Sequence, residues 1–119
     1  MENNLTVTLG GVERTLVMNK MSFMKHLGKV TEKTGFNLFD PSLRTNPTKA
    51  YQSVLFIVEA ALKSNNIDAT PEEVEKWVDD LPIELVTEIQ WHGFSAISGK
   101  PVEELKNASA QAVTNGVLS

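Results

Sequence analysis

The sequence predicts an α+β protein, mainly α, in which an N-terminal β-hairpin is followed by a compact bundle of four to five helices. Three observations predict this class. Leu5-Thr6-Val7-Thr8-Leu9 alternates apolar and polar residues, Gly10-Gly11 follows, and a second extended run covers Val12 to Val17. Beyond residue 20, apolar residues recur at spacings of three and four, the helical period. Helix boundary signals then punctuate the chain at Gly35, Asn65-Asn66, Thr70-Pro71-Glu72-Glu73 and Pro82.

A Gly pair tolerates the positive φ angles of a two-residue hairpin turn. Pairing Leu9 with Val12 sets Val7 opposite Arg14 and Leu5 opposite Leu16. One face then holds Leu5, Val7, Leu9, Val12 and Leu16, extended by Met18, with Arg14 as its one exception. Thr6, Thr8, Glu13 and Thr15 take the other face. A lone hairpin is marginal in water, so its apolar face must lie on helices, and its open edges offer unpaired backbone groups to another chain.

Asn19 is in position to cap a helix over about Met21 to Thr34, stopped by Gly35. Phe23, Leu27, Val30 and Thr34 make its inner face, flanked by Met24, while Lys25, Lys29 and Lys33 form a separate stripe. Gly28 inside it costs about 1 kcal/mol against alanine unless something packs closely there. The connecting segment from Phe36 to Pro47 carries Phe36, Leu38 and Phe39, too apolar for a plain loop. A central helix from about Thr48 to Ser64 shows a wide stripe of Tyr51, Val54, Leu55, Val58, Ala61 and Leu62. Thr70-Pro71-Glu72-Glu73 is a capping box with proline at the first helical position. It opens a short helix that turns Val74, Trp77, Val78 and Leu81 inward. Pro82 opens the next helix, through Leu85, Val86, Ile89, Phe94 and Ile97 to Ser98-Gly99, with Gly93 loosening its last turns. Residues 1–100 read as one globular domain, and 101–119 as a short helix or frayed polar tail.

The chain has 119 residues, 41% of them hydrophobic, enough for one modest core. It has no cysteine, which excludes a disulfide framework, thiolate metal sites and a cysteine nucleophile. The N-terminus lacks the basic and then apolar run of a signal peptide, and no stretch approaches the roughly 20 apolar residues that span a bilayer. The expectation is a soluble protein without a membrane partner. The net charge of -4 is unevenly spread. Residues 1–65 carry eight Lys/Arg and five Asp/Glu, and residues 66–119 carry three and ten. Such halves suit head-to-tail docking of copies, or simply solvated faces on different helices.

Catalytic patterns are missing, and the reading is a non-enzyme without cofactor or metal. His26 and His92 belong to different helices, and neither is followed three or four residues on by a metal-ligand partner. Glu72-Glu73 sits in a helix N-terminal turn, where the helix dipole favours anions, and Asp79-Asp80 closes the same helix. No phosphate-binding glycine loop and no nucleophile elbow occurs. Nucleic-acid binding is disfavoured as well, because the lysine stripe gains only Lys20 and His26 and has no base-reading arginine or interleaved aromatics. Protein binding remains, with Trp77, Trp91, Phe36 and Phe39 as anchors or core.

The order of elements resembles the tail assembly chaperones of tailed bacteriophages. The likeness runs from residue 5 to residue 98. It covers the glycine-turn hairpin Leu5 to Leu16 and the helix end Val30-Thr31-Glu32-Lys33-Thr34-Gly35-Phe36-Asn37-Leu38-Phe39. It continues through the apolar helix with Leu55, Ala60, Ala61 and Leu62, and the helix start Ile67-Asp68-Ala69-Thr70-Pro71-Glu72-Glu73-Val74. The polar segment after Gly99 departs from many relatives. The resemblance implies a protein that binds the tape measure protein and keeps it soluble until tail tube protein polymerises around it. It also implies action in the host cell cytoplasm and absence from the mature virion, while self-association is an expectation from the uneven charge of the two halves. The hairpin strand Leu5, Val7 and Leu9 and the segment Phe36, Leu38 and Phe39 are the expected contact surfaces. A tail completion or adaptor subunit is the alternative reading, and a nucleic-acid-binding regulator a third.

Overall fold

A computed structural model describes residues 4–38 and 40–107, and its hairpin has the register the alternation predicts. Strands β1 (Leu5–Leu9) and β2 (Val12–Leu16) pair antiparallel, with Leu9 opposite Val12, Val7 opposite Arg14 and Leu5 opposite Leu16. Gly10 and Gly11 both have positive φ, 64° and 79°, as a two-residue type I′ turn requires. Val7, Leu9 and Leu16 are buried, and Leu5 is half-buried. Val12, expected on the inner face, is 51% exposed, because the turn carries it past the end of the core.

Helix α1 spans Met21–Thr34. Its N-cap is Lys20, which makes no side-chain cap bond, so Asn19 does not cap it as expected. Its C-terminus is a Schellman motif: the Gly35 N–H donates to Glu32 O and the Phe36 N–H to Thr31 O, with Gly35 at φ 72°. Phe23 and Leu27 are buried, Val30 is half-buried, and Thr34 is exposed with its hydroxyl turned back to the Val30 carbonyl. A β-carbon on Gly28 meets nothing within 4 Å, so no close packing explains this glycine. Gly28→Ala is therefore expected to raise stability by about 1 kcal/mol, measured by urea denaturation.

The connecting segment is not irregular throughout. Pro41–Arg44 forms a short 3-10 helix, capped by Asp40 Oδ1 accepting from the Ser42 N–H, and it buries Leu43. Lys49 Nζ donates to Asp40 Oδ2 at 3.1 Å, and these bonds from Ser42 and Lys49 hold the Asp40 carboxyl below its usual range.

Helix α2 (Pro47–Ser64) starts one residue earlier than the periodicity predicts, since Pro47 occupies the first helical turn and Asn46 Oδ1 caps the N–H groups of Thr48 and Lys49. It ends in a second Schellman motif, with Asn66 at φ 59° as the left-handed residue and the Ile67 N–H donating to Leu62 O. Helix α3 (Pro71–Asp79) has the full capping box, Glu73 N–H to Thr70 Oγ1 and Thr70 N–H to Glu73 Oε1. Helix α4 spans Ile83–Ser98, and residues 102–107 are helical. Lys106 Nζ reaches Glu88 Oε1 at 2.7 Å, which lays this last turn back along α4. The rest of the expected tail lies outside the described residues.

The core gathers around α2, whose Val54, Ile57, Val58, Ala60, Ala61 and Leu62 are all buried. Leu9 and Leu16 of the hairpin, Phe23 of α1, Val74 and Val78 of α3, and Ile89 of α4 complete it. Each such large apolar side chain contributes about 1.5–3 kcal/mol on burial. Where α2 meets α4, Gly93 lies directly on Ile57, and one turn away Gln90 Nε2 donates to the buried Ser53 hydroxyl. Gly93 is expected from the sequence to loosen α4; in the structure it instead lies against Ile57 of α2 with no room for a β-carbon.

Candidate functional site

Two of the three hairpin residues expected to meet a partner, Val7 and Leu9, point into the core, 3% and 0% exposed. Leu5 also packs against that core. Their side chains therefore hold the hairpin to the helices, and what the free edge of β1 offers is backbone. A two-residue turn makes Leu9 and Val12 a hydrogen-bonded pair, and such pairs alternate along the ladder. Thr6 and Thr8 consequently aim their N–H and C=O groups away from β2. The sheet has only these two strands, so among the described residues no strand covers this edge.

A cleft of about 560 Å3 runs beside that edge. Thr6, Val7, Thr8 and the Gly10-Gly11 turn form one wall, and Trp77, Asp80, Leu81, Pro82 and Leu85 form the other. The second wall is the end of α3 and the start of α4. Pro82, as the α4 N-cap, bends the chain there and keeps Leu81 and Leu85 on the side of the hairpin.

Trp77 links the two walls. The Arg14 guanidinium carbon stacks 4.6 Å from its ring centroid, and Arg14 Nε donates to Leu9 O at 3.2 Å. The one cation on the apolar strand face is thus accounted for by an aromatic platform and a turn carbonyl. Trp77 also lies over Gly10, where a β-carbon would fall 2.5 Å from the indole Nε1.

The second expected surface lies elsewhere. Phe36 packs edge-on against Phe56 of α2, with centroids 5.1 Å apart and ring planes at 69°. Leu38 is half-buried against the core, and Phe39 lies outside the described residues. Neither Phe36 nor Leu38 lines the cleft, so the structure does not join the two segments into one site. The cleft residues missed from sequence are Thr6, Thr8, Gly10, Gly11, Asp80, Leu81, Pro82 and Leu85, together with the pairing of Trp77 with Gly10. Arg14 alone on an apolar strand face was the available signal, because a half-buried cation needs an aromatic or acidic neighbour.

The Tyr51 hydroxyl donates to Asp79 Oδ1, tying α2 to the end of α3 next to this wall. Partial burial, that hydrogen bond and the charges of Asp79 and Glu75 push the Tyr51 phenol up to about 12. The folded protein thus favours the protonated phenol, and its contribution is complete below the ordinary tyrosine value near 10. It is lost as pH rises from there through about 12. Thermal melts over this range should show Tyr51→Phe losing less stability with pH than the parent; parallel curves would refute it.

Among the described residues, no group of three or more His, Cys, Asp or Glu side chains is arranged to hold a metal ion. None of the helices there is long and apolar enough to cross a membrane. No protein-family model matches the chain, and no curated protein or solved structure matches it either.

Proposed function

We propose that this is a non-catalytic protein-binding domain that masks an aggregation-prone chain by pairing with it along the outer edge of β1. The particular member of that class is a bacteriophage tail assembly chaperone, whose client is the tape measure protein and whose release is driven by tail tube protein. It acts in the host cytoplasm and stays out of the finished virion.

The observation that carries the reading is the β1 edge beside its cleft. Among the described residues Thr6 and Thr8 present unpaired backbone groups, and strand addition is a general mode of peptide capture. Edge strands are usually blunted by proline, lysine or a bulge; Leu5–Leu9 has no proline or charge, and its pairing with β2 is regular. Trp77, Leu81 and Leu85 supply apolar surface for the client's side chains. The order of elements, hairpin first and capped helices after, supports the choice of client through the family likeness.

Co-expression with the tape measure protein of the same genome tests this. The client is expected in the soluble fraction, co-purifying with the chain. Thr8→Pro removes an outward N–H at an edge position that tolerates proline, and should abolish co-purification while the circular dichroism spectrum is kept. A client that stays insoluble beside the parent chain refutes the reading. Recovery of the chain in purified virions would favour the adaptor subunit instead.

A further inference from the structure

Asp80 is the one charged residue that lines the cleft. It caps the C-terminus of α3, is exposed, and makes neither an ion pair nor a side-chain hydrogen bond among the described residues. A helix C-terminus carries partial negative charge and favours a cation, so α3 itself adds to the field of this carboxylate. Its neighbour Asp79 already accepts from the Tyr51 hydroxyl. Residues 71–85, which supply this whole wall, carry six Asp/Glu against one Lys. Arg14 is not the counter-ion of Asp80, since its guanidinium rests on Trp77 and donates to Leu9 O.

The rest of the cleft sets the shape of an occupant. Val7 and Leu9 join Val74, Val78 and Ile89 in one core, so α3 and α4 lie on the apolar side of the hairpin. A strand laid along β1 turns alternate side chains to that same side, where Trp77, Leu81 and Leu85 stand. The side chains between them point out beside Thr6 and Thr8. Thr6 to Gly10 extends over about 15 Å, the length of about five residues.

We infer that this cleft selects an extended segment with apolar residues at alternate positions and a lysine or arginine at one end, and that Asp80 is the residue that selects the cation. The stem of such a side chain lies along apolar surface while its charged head reaches the carboxylate. An exposed ion pair is worth up to about fivefold in affinity. Backbone bonds and apolar side chains therefore hold the segment, and Asp80 discriminates among segments, turning away those that bring a like charge. The inference rests on the strand-addition reading of the β1 edge and names which segments of a client that edge takes.

Titration of the isotope-labelled full chain with two synthetic peptides, followed by the amide resonances of Thr6 and Thr8, tests it. Both peptides alternate valine and threonine over the length of the cleft. One carries lysine at both ends and the other glutamate, so that either strand direction brings a charge to Asp80. Both should shift the Thr6 and Thr8 amides, with the lysine peptide binding about fivefold tighter. Asp80→Lys should reverse that order; the helix dipole favours lysine at this C-terminus, so the fold is kept. Glu32→Lys makes the same change in net charge on exposed α1 surface outside the cleft, and should leave the order as in the parent. Equal binding of the two peptides to the parent overturns the inference and leaves the reading of the β1 edge standing. An order that survives Asp80→Lys, or that is lost in Glu32→Lys, does the same. Failure of both peptides to shift Thr6 and Thr8 overturns the edge reading, and the inference with it.

Discussion

Gly93→Val is expected to destabilise the protein by about 3 kcal/mol, the upper end for overpacking a core. A β-carbon at Gly93 would lie 2.6 Å from Ile57 Cδ1, 2.9 Å from Cγ2 and 3.0 Å from Cγ1. Ile57 is fully buried in the middle of α2, and a β-branched side chain in a helix has essentially one χ1 rotamer. It cannot swing aside, so the helices must separate, and the Gln90–Ser53 bond one turn away separates with them. The better helix propensity of valine offsets only a few tenths of a kcal/mol. Urea denaturation of a double-mutant cycle isolates the contact. Ile57→Ala alone should cost about 2–5 kcal/mol, yet the pair with Gly93→Val should fall short of the sum by on the order of 1 kcal/mol or more. Simple additivity would show that the two residues do not share the contact.

The second large effect is expected at the turn. Gly10→Ala places a β-carbon on a residue with φ 64° and drives it to 2.5 Å from Trp77 Nε1. The backbone cost is about 1 kcal/mol, and displacing the indole from Gly10 and Arg14 brings the total to about 2–3 kcal/mol. Gly11→Ala is the control. Its φ is also positive, 79°, but its β-carbon would meet nothing within 4 Å. It should therefore cost only the backbone share of about 1 kcal/mol. The difference between the two variants measures the Trp77 contact, and tryptophan fluorescence should change in Gly10→Ala and stay as in the parent for Gly11→Ala. Equal losses would mean that Trp77 does not clamp the turn. Because Gly10 and Trp77 both line the cleft, Gly10→Ala should weaken client capture as well, whereas Gly28→Ala, on the exposed side of α1, should leave it intact.

Function on this reading comes from what the core leaves over. The apolar side chains of the hairpin lie in the core, and the far edge of β1 presents backbone. The α3–α4 junction then stands opposite that edge and makes it a cleft.

Much of this architecture is local and was readable. The hairpin register follows from period-two alternation around Gly10-Gly11, the limits of α1 from a helical stripe ending at Gly35, and the start of α3 from Thr70-Pro71-Glu72-Glu73. In each case the deciding interaction joins residues within a few positions, so composition and spacing suffice. Asn19 failed as a cap because capping is a matter of backbone angle and distance, and two neighbouring residues compete for the position. What the sequence by itself determined about this protein is its elements, their ends and their apolar faces. Tertiary structure alone decided that Gly93 is a contact and not a weak point, that Arg14 rests on Trp77, and that the β1 edge faces Leu81 and Leu85. These pairs lie tens of residues apart, and a single side chain's pattern is the same whichever of several apolar partners it meets. Only the packing of all the helices on α2 selects one partner, and the cleft is the space that this selection leaves.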